Sequence, residues 1–583
     1  MDTFYTTERN VQMLVYLMKQ NGIRKVIASP GTTNITFVAS IQQDPYFEIY
    51  SAADERSAAY MACGLAAESG EAVALSCTGA TASRNYVPGL TEAFYRKLPV
   101  LAITSTQHTG RIGQLCPQVV DRSVIQNDIA VMSVQIPSVH DGEDEWACNV
   151  KLNEALLALR HRGGGPVHIN LVTAYSRDFS VRELPAYRVI RRVERGDAFP
   201  AVPAGRVGIF VGAHLKWGME LTAQVEAFCR KYNGAVFCDH TSNYHGRYRI
   251  QYNLICGQAQ YQNETAGMDL LIDMGEMSGA YMGFRPKEVW RVNPDGRVRD
   301  TFRKLAYVFD MEEADFFACY AAQEGKDGGD MPYYTECREV FDIITGRIPE
   351  LPFSNAWMAQ QTIGRLPENS VLHLGILNTL RTWNFFEAPD SVDCYSNTGG
   401  FGIDGLVSTI VGAALADRER LHFLVLGDLA FFYDMNAAAN RHVGKNVRIL
   451  LVNNGCGTEF KNYSHFGARF GDGADDFIAA AGHYGRQSRE LVRNYAENLG
   501  FTYLSAAARE EYLEKVKLFL APEAAEKPIL FEVFTSPEEE SAALEGMNHI
   551  LASPPGAADR VKQAAKGILG EKGVSVLKAL AKR

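Results

Sequence analysis

The chain has 583 residues, enough for three or four domains at roughly 150 residues each, and its 46% hydrophobic and 22% charged content is that of an ordinary globular protein. A formal charge of −10 argues against general nucleic-acid binding, which needs a basic surface. The 11 scattered cysteines show no Cys-x-x-Cys pair or Cys/His metal spacing, Met1–Asn10 has no signal-peptide character, and no apolar run approaches the ~20 residues of a membrane span, so a reduced, cytoplasmic protein is expected.

Along the chain, Val11, Leu14, Val15 and Leu17 recur at helical spacing within Asn10–Asn21. Strand-like runs follow at Arg24–Ala28, Phe47–Ser51, Ala72–Cys77 and Leu98–Thr104, with a small-residue helix over Ser57–Ala67 and another ending near Tyr95. Alternation at this pace predicts a doubly wound parallel sheet. Its strands end in the turns Ser29-Pro30-Gly31-Thr32-Thr33-Asn34, Ala53-Asp54-Glu55-Arg56 and Thr78-Gly79-Ala80. Within Gly163–Asn170, His168 reads most simply as a packed strand residue rather than a catalyst. Ser180–Ala204 is charged, holds three prolines, and reads as a linker.

A second alternating region runs through Arg206–Gly212, Gly218–Tyr232, Ala235–Asp239, Leu270–Met274 and Glu288–Asn293. No Gly-x-Gly-x-x-Gly follows a strand there, so neither FAD nor NAD is indicated. Lys216, His240 and His245 read more simply as satisfied loop residues than as active-site groups. Gly325–Pro332 reads as a flexible connector.

The third region begins with strands at Ser370–Leu374 and Asp393–Ser396. Two further apolar runs halt at Gly427-Asp428 and at Asn453-Asn454, with an Ala- and Asn-rich helix expected over Met435–Arg441. A strand–helix–strand crossover would bring Asp428 and Asn454 to one edge of a parallel sheet, where open α/β sheets bind ligands. An Asp oxygen, an Asn amide oxygen and a free backbone carbonyl form a hard-oxygen set suited to Mg²⁺ that is also held by phosphate. An ordinary Asp at a strand end is the plain alternative.

Gly427-Asp428 followed about two dozen residues later by Asn453-Asn454 resembles the thiamine-diphosphate (ThDP) motif of the thiamine-dependent decarboxylases and synthases. Ser29-Pro30-Gly31, then Asp54-Glu55-Arg56-x-Ala-x-x-x-Ala-x-Gly, then Thr78-Gly79-Ala80 with Asn85, is similar to their pyrimidine-binding domain. The resemblance implies an α/β fold of three doubly wound parallel-sheet domains. These would be a pyrimidine-binding domain over 1–178, a central Rossmann-like domain over 200–325 and a diphosphate-binding domain over 350–540, followed by a basic C-terminal helical tail over 541–583. It also implies that Asp428, the Asn454 side chain and the Cys456 carbonyl hold Mg²⁺. Pro30, Gly31 and Asn85 would border the cofactor from the first domain, and Gly399, Gly427, Leu429, Ala430 and Gly457 from the third. Glu55 matches the cofactor-activating glutamate, and a buried carboxyl with a raised pKa suits proton sharing near neutral pH; its alternative is a helix N-terminal acid. Ile403 matches the apolar wedge that bends the cofactor, with core filling as its alternative. Gln118 matches a substrate-facing glutamine, or is a surface amide.

Gly402-Ile403-Asp404-Gly405-Leu406-x-Ser408-Thr409 and Gly427-Asp428-Leu429-x-x-x-Tyr433-Asp434-x-Asn436 look most like the menaquinone-pathway synthase branch, which joins decarboxylated 2-oxoglutarate to isochorismate. That likeness implies that Thr32, Thr33, Arg381 and Thr398 face substrate, although Arg381 also reads as a helix-surface arginine. The chain departs from the branch where Thr32-Thr33-Asn34 stands for Ser-Arg-Ser, Thr398 for an arginine, and Gly279-Ala280-Tyr281 near a Lys-Arg pair. Each lost charge-assisted bond is worth about 1.5–3 kcal/mol, so a smaller or less acidic substrate is expected, such as pyruvate or an aldehyde acceptor.

The implied activity is decarboxylation of a 2-oxo acid and transfer of the acyl carbanion to an aldehyde or ketone acceptor. The alternatives are a simple decarboxylase and a non-catalytic ThDP-binding scaffold. The family builds each site from the first domain of one subunit and the third of its partner, implying a homodimer or tetramer. From Arg560 to Arg583 seven Lys/Arg face one acid around an apolar stripe. This tail reads as a helix on its own dimer or as a weak membrane-surface contact.

Overall fold

Apolar runs such as Val73–Cys77 and Val447–Asn453 are buried along their whole length, as parallel strands covered by helices on both faces must be. The computed structural model describes residues 4–280, 282–323, 331–483, 488–523 and 525–552. The basic tail, Tyr281 and most of the expected 325–332 connector lie outside the described residues. The described strands form three sheets in which every ladder is parallel. The chain divides into two compact units, Met1–Pro200 with Glu288–Glu312, and Ala201–Lys287 with Glu313–Arg583.

In the first unit, β1 (Lys25–Ala28), β2 (Glu48–Ser51), β3 (Val73–Cys77), β4 (Val100–Thr106), β5 (Met132–Ile136) and β6 (Val167–Val172) pair in the order β2-β1-β3-β4-β6-β5. Chain direction across the sheet reverses between β1 and β3, the switch point where such sheets bind ligands. Val11, Leu14, Ile103, Leu152 and Ile169 belong to one buried cluster, and Ala58, Ala62, Leu75, Tyr86 and Leu90 to another.

The expected linker contains a strand. β7 (Arg191–Glu194) carries three charged residues, but Val193 is buried and the strand pairs in parallel with β13. Charged side chains on a sheet edge mask the alternation that marks a strand. β8 (Val207–Val211), β9 (Gly234–Cys238), β10 (Arg249–Gln251) and β11 (Gly267–Met274) pair in the order β10-β9-β8-β11 within the second unit. β12 (Arg285–Val292) pairs through its Val289–Val292 portion with β13 (Leu305–Asp310) in the first.

The remaining sheet of the second unit contains β14 (Val371–Leu374), β15 (Asp393–Tyr395), β16 (His422–Gly427), β17 (Val447–Asn453), β18 (Thr502–Ala506) and β19 (Ile529–Phe534) in the order β15-β14-β16-β17-β19-β18. Its switch point lies between β14 and β16. Leu406, Ile410, Phe431, Leu451 and Phe501 fill the core on one side. On β17 the fully buried Arg448 has no carboxylate partner among the described residues. Its guanidinium donates instead to the main-chain carbonyls of Phe519, Ala521 and Glu523 at 2.6–2.7 Å, and burial lowers its pKa to about 10.

Two boundaries differ from expectation. The helix between β16 and β17 starts at Asp428 itself and runs to Asp434, with only a 3₁₀ segment over Met435–Ala439. The acidic stretch after Thr535 is a helix, Pro537–Asn548, that continues through residue 541 and buries Glu540.

Candidate active site

In the second unit a cleft opens at the β14/β16 switch point. Ile376, Leu377 and Asn378 line it from the loop after β14, and Gly427 to Ala430 from the start of the helix after β16. The loop after β17 adds Asn454, Cys456, Gly457, Glu459 and Phe460, and Ile403 lies on the wall while also packing against the Leu406–Phe431 core. Leu377 holds a positive φ of 69°, strain of a kind that concentrates at ligand-binding turns.

The pairing of β16 with β17 sets Gly427 against Val452, so Asp428 and Asn454 leave neighbouring strands at one edge. Asp428 is 3% exposed. Its Oδ1 accepts the Leu429 N–H at 2.8 Å and its Oδ2 the Gly455 N–H at 2.7 Å. Gly455 reaches that position with φ +76°, which a side chain would strain. Burial pushes the Asp428 carboxyl up to about 6 despite these two donors. The buried Oδ1 of Asn454 has no hydrogen-bond partner among the described residues, an arrangement that costs about 1–3 kcal/mol unless something is bound there. The Cys456 carbonyl accepts the Thr458 N–H at 3.0 Å and the Thr458 hydroxyl at 3.5 Å. Three hard oxygens, one orphaned and one carboxylate disfavoured as an anion by burial, fit Mg²⁺.

Behind this edge, Glu532 accepts from Asn453 Nδ2 at 2.7 Å and Tyr503 Oη at 2.8 Å. Asp434 accepts both the N–H (2.6 Å) and the hydroxyl (2.7 Å) of Ser408, capping the helix Leu406–Ala416 that follows Ile403. The Ser408-Thr409 and Tyr433-Asp434 motifs thus fix one element to another.

Arg381, expected to bind a substrate carboxylate, is gripped by Glu459, whose oxygens lie 2.8 and 2.9 Å from one guanidinium nitrogen. Thr398 is buried beside the exposed Gly399. His240 is also buried, with Nε2 near the Trp383 and Phe386 carbonyls; burial lowers its pKa to about 4. Lys216 lies 3.2 Å from Asp393, and His245 3.2 Å from Arg249.

In the first unit, Glu55 opens the helix Glu55–Ser69, capped by Asp54 accepting from Ser57 N–H. Glu55 is half-buried rather than fully buried, and Asn85 Nδ2 donates to its Oε2 at 3.2 Å. The Pro30-Gly31 turn lies against Thr78, where a Cβ on Gly31 would come within 2.3 Å of the Thr78 Cβ. Only glycine admits that approach. Thr32 and Gln118 are exposed. Thr33 corrects the expectation of a substrate-facing hydroxyl: it is 1% exposed, paired with Thr78 Oγ1 at 2.6 Å and donating to the Ser105 carbonyl at 3.0 Å. Asn378, Leu377 and Glu459 were missed in the sequence. Their signal was position alone, at the start of the helix after β14 and three residues past Cys456.

Residues 9–133 match the family described as thiamine pyrophosphate enzyme, N-terminal TPP binding domain. The chain is 32% identical to a 2-succinyl-5-enolpyruvyl-6-hydroxy-3-cyclohexene-1-carboxylate synthase of Bacteroides fragilis, over 94% of this chain and 100% of that one. It is 32% identical to the Bacteroides thetaiotaomicron synthase of the same name and 30% to that of Phocaeicola vulgatus, each over 94% of this chain and 99% of the relative. The chain therefore belongs to the 2-succinyl-5-enolpyruvyl-6-hydroxy-3-cyclohexene-1-carboxylate synthase family, as a thiamine-diphosphate-dependent enzyme that decarboxylates a 2-oxo acid and passes the acyl carbanion to an acceptor.

Proposed function

We propose that this protein holds ThDP through Mg²⁺ at Asp428, Asn454 and Cys456, and that it works in the cytoplasm as a homodimer or tetramer joining a 2-oxo acid to a carbonyl acceptor. The observation that carries the magnesium reading is the partnerless Asn454 Oδ1 beside a buried carboxyl. The cleft's charge supports it: no described residue lining the cleft is cationic, so a diphosphate there needs a metal to offset its charge.

Bound ThDP supplies the carbon nucleophile and the electron sink for loss of CO₂. The chain's residues position and protonate. Glu55 holds the proton at the aminopyrimidine nitrogen, and Asn85 fixes the carboxyl that does so. Ile403 would support the cofactor from the cleft wall, and Gly399, Gly427, Leu429, Ala430 and Gly457 would border it. Thr32 and Gln118 face substrate from the first unit, next to Pro30 and Gly31.

Tyr60 is 48%, Tyr95 70% and Phe477 95% exposed, side chains that an interface between subunits would cover. In that assembly Glu55 of one protomer serves the Asp428 cleft of its partner. The relatives' name specifies a succinyl group on a cyclohexene carboxylate.

The test is calorimetric titration of ThDP with and without Mg²⁺, followed by CO₂ release from a panel of 2-oxo acids. Magnesium-dependent binding and turnover of at least one donor are expected. Absence of magnesium-dependent binding overturns the site.

A further inference from the structure

Beside the Asp428 cleft an arginine and a glutamate are paired. Arg381 sits on the short helix Asn378–Trp383, and Glu459 on the turn Thr458–Lys461 that continues the magnesium loop. The Glu459 side chain is only 15% exposed and that of Arg381 39%, so the pair lies at the cleft's rim with the acid on the inner side. Glu459 lines the cleft and Arg381 does not. The next cation along, Lys461, is bound to Asp475. The polar groups left facing the cavity at this end are neutral, Asn378 and Thr379.

Resting on the ThDP reading above, we propose that Glu459 is a specificity-determining residue. By occupying Arg381 it makes the site select a 2-oxo acid whose far end is neutral and hydrogen-bonding or small, and reject one ending in a second carboxylate. A dicarboxylic donor entering here meets the Glu459 charge, which lines the cleft, before it reaches the guanidinium behind it. Glu459 acts through Arg381 and is a positioning residue.

The experiment measures kcat and KM for pyruvate and 2-oxoglutarate with ThDP and Mg²⁺ supplied, in the full chain and in Glu459→Gln, Glu459→Asp and Glu459→Gln with Arg381→Gln. The unmutated protein is expected to favour pyruvate at least about tenfold in kcat/KM. Glu459→Gln is expected to move the ratio toward 2-oxoglutarate by about 10- to 100-fold, the worth of one charge-assisted bond, chiefly through KM for 2-oxoglutarate. Glu459→Asp should keep the original preference, and the double variant should lose the gain. A preference of the unmutated protein for 2-oxoglutarate, an unmoved ratio in Glu459→Gln, or a gain that survives loss of Arg381 overturns the proposal. Inhibition of the unmutated enzyme needs no variant: glutarate should bind no more tightly than butyrate, and tighter glutarate inhibition overturns it equally. Parallel ThDP titration separates the failures, because absent cofactor binding, or binding without turnover of any donor, refutes the underlying reading and takes this inference with it.

Discussion

Replacing Asn454 by alanine should move the free and the cofactor-bound protein in opposite directions. In the free chain Asn454 Oδ1 is a buried acceptor with no partner, a state that costs about 1–3 kcal/mol. Truncation removes that cost and loses a little packing, so the free variant should be as stable as the original or firmer by about 1 kcal/mol. That is a Tm rise of about 2–4 °C for a cooperative unit of 150–250 residues. With cofactor the sign reverses. At a concentration about 100 times Kd, binding stabilises by about 2.7 kcal/mol, and a hundredfold weaker Kd leaves only about 0.4. Differential scanning calorimetry on both proteins, with ThDP and Mg²⁺, with ThDP and a chelator, and with neither, reads all of these terms. A free variant that melts several degrees lower, with an undiminished magnesium-dependent shift, would refute the assignment of this oxygen to the metal.

Glu55→Gln should leave ThDP affinity within a few-fold and lower kcat by about 10²–10⁴, the range for a positioned proton-transfer group; unchanged turnover would remove Glu55 from its role. Burial pushes the Glu540 carboxyl from 4.5 up to about 7. Its folded value lies above the unfolded one, so its stabilising contribution is full below about pH 4.5 and is lost as pH rises through about 7. Glu540→Gln should therefore gain up to about 3 kcal/mol over the original at pH 8 compared with pH 5, read as a flatter Tm-against-pH curve; an identical slope would count against it. Asp434→Ala removes the cap on the Leu406–Ala416 helix and should cost about 1–2 kcal/mol, with ThDP affinity falling as the Ile403 loop loosens. Urea melts and cofactor titration check both effects, and an unchanged midpoint would show that the cap is idle.

Much of the third sheet was legible because its strands are uniformly apolar and stop at polar residues. Leu424–Gly427 and Ile449–Asn453 marked both strands and therefore the meeting of Asp428 and Asn454. β7 was not legible, since Arg191, Arg192 and Glu194 outnumber the single buried Val193. The helix after β16 was placed late because the Ala- and Asn-rich run from Met435 carries the plainer helix signal, whereas the helix starts at once after Gly427. Side-chain partners were invisible. Nothing in the linear order shows that Glu459 returns across 78 residues to hold Arg381, or that Thr33 turns inward to Thr78. Such pairings depend on which loops the folded sheet sets side by side, and a single sequence carries no local period that reports them.

Arg448 has a bearing on how this chain emerges from the ribosome. The carbonyls it grips lie 71, 73 and 75 residues further along, and β17 also waits for β19 to cover its free edge. A growing polypeptide that has just released Asn454 therefore lacks the carbonyls that take this cation in the finished fold, and its β17 has no β19 to pair with. The loop carrying Asn454 is anchored late in synthesis, and chains that stop short of Glu523 should fail to be rescued by added vitamin.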